Sequence, residues 1–211
     1  MCEGDGAVSL VFRHTQGSGS SFVITYMENG TQKTTSVGNG GSNTVLFNPN
    51  LGTNTITITK VEDDSPASCA GTGNTITIQM NPKPVATLSL VDPEYCDGED
   101  VFVHYSGNGV YPINAEVLDA SNTVVQTVTI NSVSGGNLNL GPLPVGSHTY
   151  SIGNITDGSG TTCSNTGNST VSVTVLSLPT ASFVKNQYTI CDGESVDIGQ
   201  LVTGIGTVST S

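Results

Sequence analysis

Whatever chemistry this 211-residue chain performs must come from five cysteines, three histidines and 17 acidic side chains. Cys2, Cys96 and Cys191 open near-identical tetrapeptides: "CEGD" at Cys2–Asp5, then "CDGE" at Cys96–Glu99 and at Cys191–Glu194. Cys69 and Cys163 each stand 67 residues after one of these turns. Zinc sites favour CxxC spacing, which is absent here, whereas matched single cysteines suit disulfides in an oxidising compartment. Cys2, Cys69, Cys96 and Cys163 are therefore the expected disulfide cysteines, with Cys191 lacking a partner because its copy is cut short.

The acidic turns suggest a second chemistry, since carboxylate oxygens gathered at junctions are what calcium takes as ligands. Asp5, Asp63, Asp64, Asp97, Glu99 and Asp157 are the candidate ligands, and calcium is the one candidate cofactor. The plainer reading is solvated turn carboxylates, Asp-Gly being ordinary turn chemistry, and no DxDxDG loop is present. Catalysis would require a nucleophile, a base and an orienting group that converge. His14, His104 and His148 occupy non-equivalent positions with no recurring carboxylate neighbour, and neither an HExxH motif nor a phosphate-binding Gly loop occurs. No catalytic residue is assigned and the chain is expected not to be an enzyme.

The elements that must position these residues are themselves repeated. Cys2 to Cys96 is 94 residues and Cys96 to Cys191 is 95, and Leu46/Leu140, Ile58/Ile152, Asp63/Asp157, Pro84/Pro179 and Ala86/Ala181 follow nearly the same offset. This is a tandem array of about 95 residues per module. Alternating apolar and polar residues in "TNTITITKV" (Thr53–Val61), "DVFVHY" (Asp100–Tyr105) and "STVSVTV" (Ser169–Val175) predict half-buried strands. Asn29-Gly30 between two such runs predicts a tight hairpin. Strands are expected near residues 7–14, 21–28, 31–37, 43–48, 53–62, 74–82 and 85–91, then again one repeat later. Seven short strands per module indicate an all-β fold of tandem immunoglobulin-like sandwiches, expected to stack as an elongated rod through Pro-marked linkers. The expected modules are 1–84, lacking its first strand, 85–179, and 180–211, the start of a truncated third. Boundaries are placed near Pro82–Val91 and Leu178–Asn186.

Two disulfide pairings compete. Equal spacing favours Cys2–Cys69 and Cys96–Cys163 within modules, each closing a 67-residue loop worth roughly 4 kcal/mol in the chain-entropy model. Strand parity opposes them, because a cysteine before the second strand and one after the sixth lie at opposite ends of a sandwich. Cys2–Cys163 across the junction is the alternative.

Composition narrows the partners. The formal net charge of −12 repels nucleic acid and anionic membranes, and no run approaches the length of a membrane span. The cysteine–acid–Gly turn, the segment "YSIGNITDGSGTTC" (Tyr150–Cys163) and the Val/Thr strand ending at Pro together resemble PKD-like and immunoglobulin-like repeats of very large secreted bacterial surface proteins. That resemblance implies an extracellular or cell-surface location, export by the type IX route, and roles in adhesion, including gliding adhesins. It also implies neighbouring modules of the same chain as the nearest partners. The expected function is a structural, adhesive stalk of an adhesin or surface filament. The alternatives are a module binding a surface glycan or protein through end loops such as that carrying Tyr111, and spacer domains beside a secreted hydrolase.

Overall fold

The structure, a computed structural model, describes residues 1–16, 19–183, 187–197 and 200–203. Asn186 of the expected second boundary and residues 184–186, 198–199 and 204–211 of the expected third module lie outside the described residues. Among the described residues there are 18 strands and no helix.

In chain order these are β1 (Val8–Arg13), β2 (Ser21–Glu28), β3 (Thr31–Gly38), β4 (Ser42–Phe47), β5 (Gly52–Asp63), β6 (Ala70–Gly71), β7 (Thr75–Met80), β8 (Val85–Leu90) and β9 (Glu94–Cys96). They continue with β10 (Asp100–Asn108), β11 (Ile113–Leu118), β12 (Val124–Ile130), β13 (Gly136–Pro142), β14 (Gly146–Asp157), β15 (Ser164–Thr166), β16 (Thr170–Leu176), β17 (Thr180–Phe183) and β18 (Gln200–Thr203). The strands expected near 21–28, 31–37, 53–62 and 85–91 fall within a residue or so of these bounds. Two compact units form. One holds Met1–Pro84, Gly109–Ile113 and Thr156–Asn165, and the other holds Val85–Asn108, Asn114–Ile155 and Thr166–Ser211.

The first unit has two antiparallel sheets, β1-β4 and β3-β2-β5, with β6 and β7 both paired to β5. Alternation explains why they face each other: Leu10 and Phe12 on β1 and Ile24 and Tyr26 on β2 point inward, and these four pack with Val37, Phe47 and Ile56 into one buried cluster. The rings of Phe12 and Tyr26 stand 4.9 Å apart at the centre. The hairpin from Glu28 to Thr31 turns through Asn29 (φ 48°) and Gly30 (φ 85°), the two left-handed positions that a two-residue turn between twisted strands demands.

The second unit repeats the plan with two strands more, nine against seven. Its sheets are β13-β10-β8 and β12-β11-β14-β16-β9, with β15 paired to β14. Val101, Val103, Ala115, Val117, Ile130, Val173 and Val175 are all buried. Both units also use one close approach. A Cβ on Gly73 would meet the Ile58 side chain at 2.5 Å, and one on Gly167 would meet Ile152 at 2.2 Å, so the last loop of each unit can cross its long strand only at glycine.

Candidate functional site

The repeated tetrapeptide is a turn that clamps its own cysteine. Gly4, Gly98 and Gly193 adopt φ of 89°, 89° and 82°, the left-handed third position of a type II turn. The fourth residue closes the turn twice over. Its amide donates to the cysteine carbonyl, from Asp5 at 3.0 Å, Glu99 at 3.0 Å and Glu194 at 3.1 Å. Its carboxylate in turn accepts from the cysteine N–H, at 2.7 Å for Cys2–Asp5, 2.7 Å for Cys96–Glu99 and 3.2 Å for Cys191–Glu194. An acid three residues after the cysteine thus neutralises an amide with no ladder partner.

The other two cysteines sit in a second repeated device, Asp-x-Ser-x-x-x-Cys, which sequence reasoning did not isolate. Asp63 Oδ1 accepts from Ser65 Oγ (2.7 Å) and from the amides of Ser65 (3.3 Å) and Cys69 (2.9 Å). Asp157 Oδ1 accepts from Ser159 Oγ (2.6 Å) and the amides of Ser159 (3.1 Å) and Cys163 (2.9 Å). The residue before each cysteine, Ser68 or Thr162, takes a φ near +50° that bends the loop back. The recurring signal was the fixed spacing of Asp to Ser and Cys.

The Ser65 hydroxyl, followed by the Cys69 and Ser65 amides, holds the Asp63 carboxyl below its ordinary range, and the Ser20 hydroxyl does the same for Asp64. A carboxyl lowered on folding contributes stability that is present above its unfolded value, about 3.9, and is lost as pH falls through the folded value. The amides of Cys69 and Ser20 should therefore lose hydrogen-exchange protection as pH drops below about 4, while the centre of β2 stays protected. Unchanged protection at Cys69 and Ser20 down to pH 2 would contradict this account.

The cysteines pair as Cys2–Cys163, with Cα atoms 5.5 Å apart, and both belong to the first unit. Cys69, Cys96 and Cys191 are exposed free thiols. The within-module pairs Cys2–Cys69 and Cys96–Cys163 are not formed, and strand parity is the reason. Cys2 bridges to Asn81, just past Met80, which is in register with Gly52 at the start of β5. Cys69 follows Asp63 at the far end of that strand. Eleven residues of strand span roughly 35 Å, far beyond the ~7 Å that a disulfide tolerates between Cα atoms. Cys96 is likewise in register with Leu176, beside the Gly146 end of β14, whereas the loop of Cys163 begins at Asp157, where β14 ends.

The calcium candidates are not brought together. Among the described residues no three His, Cys, Asp or Glu side chains group as a metal site would need. Asp5 and Glu99 clamp cysteine amides, Asp63 and Asp157 brace cysteine loops, Asp64 accepts from Ser20, and Asp97 is exposed at its turn. The histidines are dispersed too. His14 stacks on Phe22 at 3.9 Å and its Nδ1 accepts from the Gly40 amide; His104 bonds Asn137, and His148 bonds the Pro144 carbonyl.

No protein-family model matches the chain, and no curated protein matches it. Among solved structures it is similar to the fibronectin(III)-like modules of CbhA from Clostridium thermocellum, at 11% identity over 82% of this chain and 86% of that one, with a TM-score of 0.34. It is similar to a chain from a 1.5-MDa bacterial ice-binding adhesin, studied for retention at the host cell surface, at 15% identity and a TM-score of 0.42. There the match covers 84% of this chain and 62% of that one. It is also similar to the amphioxus IgVJ-C2 molecule, at 15% identity over 82% and 98%, with a TM-score of 0.37. By its own sheets, the chain is an all-β protein built of immunoglobulin-like β-sandwiches.

Proposed function

We propose that this chain is a structural, adhesive segment of a large secreted cell-surface protein, an adhesin or surface filament, built of modules 1–84, 85–179 and the start of a third at 180–211, and that it performs no catalysis. One observation carries the reading. What recurs between copies is framework: the clamped cysteine turn, the Asp-Ser-Cys loop and the glycine crossing at Gly73 and Gly167. Side chains able to do chemistry do not recur and do not converge. The Cys2–Cys163 bond supports an oxidising, extracellular setting. Export by the type IX route and a part in gliding rest on the family resemblance alone.

The test replaces this segment, between a surface anchor and a ligand-binding head displayed on bacteria, with a flexible Gly/Ser linker of equal length. Adhesion under shear should fall while binding at rest persists. Equal adhesion under shear, or hydrolysis of polysaccharide or peptide substrates by the purified chain, would overturn the proposal.

A further inference from the structure

The bond between Cys2 and Cys163 joins two different kinds of half-site, and the fold builds each kind again. Cys2 lies in a clamped turn that is bridged in parallel to Asn81, with the Glu3 amide donating to the Asn81 carbonyl at 2.8 Å. Cys96 repeats this on Leu176, again in parallel register, with the Asp97 amide donating to the Leu176 carbonyl at 2.9 Å. Cys163 lies in a braced loop, closed by the Asp157 amide on the Cys163 carbonyl at 3.0 Å and by the Thr162 amide on the Ser159 carbonyl at 2.9 Å. In the loop of Cys69 the same bonds run from Asp63 to Cys69 at 3.2 Å and from Ser68 to Ser65 at 2.8 Å. Cys96 thus has the backbone setting of Cys2, and Cys69 has that of Cys163.

Setting decides pairing, because a disulfide forms only where two Cα atoms come within about 7 Å with their side chains facing. Docking of loop on turn supplies that approach. Residues Thr156–Asn165 come from the second sequence repeat, yet they cluster with Met1–Pro84 in the first unit and bring the Cα atoms of Cys163 and Cys2 to 5.5 Å. A loop cysteine of one repeat thereby meets a turn cysteine of the repeat before it. Cys69 and Cys96 are both exposed, so the complementary half-site of another repeat can reach each of them.

We propose that Cys96 and Cys69 are the two complementary halves of this same cross-repeat disulfide, Cys96 taking a loop cysteine and Cys69 a turn cysteine from another repeat of this kind. The oxidant is a small-molecule or protein disulfide. One thiolate attacks it and releases a thiol, and the second thiolate attacks the mixed disulfide and releases the other, so the two protons and two electrons lost by the protein leave on the two released thiols. Pairing by class makes the linkage directional, turn to loop and never turn to turn or loop to loop. The inference goes beyond the stalk reading and does not depend on it, since pairing by class needs neither load nor ligand.

A second copy of the chain carries both halves and serves as the probe. The experiment oxidises the full chain in a buffer of oxidised and reduced glutathione, with Cys191→Ser so that one half of each class remains beside the Cys2–Cys163 bond, and maps the disulfides in the covalent dimers formed between copies. Random collision of exposed thiols would give Cys69–Cys96 in the same amount as the two like pairs together. Cys69–Cys96 should instead exceed the like pairs at least about tenfold, a preference of about 1.4 kcal/mol. Glu99→Ala, which unclamps the turn, should bring the ratio back toward random while Cys96 stays reactive to a thiol reagent. A random mixture, an excess of like pairs, or monomers whose two thiols carry glutathione would overturn the proposal, and so would a ratio that Glu99→Ala leaves unchanged.

Discussion

Pulled by its two ends in a force experiment, the oxidised chain should release roughly 550 Å less length than the reduced chain, at about 3.4 Å per extended residue. The disulfide joins residues 161 apart, so tension entering at Met1 passes from Cys2 through the sulfurs to Cys163 and onward, bypassing the chain between them. The β1-β4 and β3-β2-β5 sheets then carry no load at all. Strand β16, which lies past Cys163, remains in the load path and can be peeled from β14. Closing so long a loop also contributes about 5 kcal/mol in the chain-entropy model, so reduction should lower Tm by more than 10 °C at roughly 2–4 °C per kcal/mol. Cys2→Ser should behave as the reduced chain does. Equal release in both redox states would remove the bond from the load path, and a deficit split into two steps of 67 residues would restore the within-module pairs. Under shear, the consequence is that one covalent bond protects the fold behind it.

The strands were legible because each buries one face, and period-2 alternation is a local property of the chain: Thr53–Val61 announces β5, and Asn29-Gly30 announces the turn at which β2 reverses. The cysteine pairing was legible only in part: equal spacing is a property of the repeat and is the same whichever pairs form, while strand parity already set Cys2–Cys163 against the within-module pairs. What decides it is which end of β5 each cysteine reaches, and that depends on register across the sheet. The carboxylates misled for a related reason. An acid beside a Gly turn has the same letters whether it accepts an amide or a cation, and only the constant offset from Cys2, Cys96 and Cys191 to Asp5, Glu99 and Glu194 pointed to the amide.

Asp157→Ala should be among the most damaging single changes in the first unit, costing about 3 kcal/mol and roughly 10 °C in Tm, because it strips several donors of one acceptor at a buried site. Asp157 is 5% exposed, and its Oδ1 alone serves the amides of Ser159 and Cys163 and the Ser159 hydroxyl. Its Oδ2 is buried with no partner. Asp157→Asn therefore keeps the oxygen that matters and places an amide nitrogen where a carboxylate oxygen was unsatisfied, so it should stay within about 1 kcal/mol of the parent. Asp63→Ala removes the same three bonds at the solvent-facing copy, where water replaces the acceptor, and should cost less. The loop also sets the chemistry of its cysteine, since Asp157 fixes the amide of Cys163 and with it the position of the sulfur. In Asp157→Ala, oxidative refolding should form Cys2–Cys163 more slowly and with more mispairing to the exposed Cys69 and Cys96, as peptide mapping under non-reducing conditions would show. If Ala were tolerated as well as Asn, or if Asn were as damaging as Ala, the three bonds to Oδ1 would not be what holds Cys163 in place.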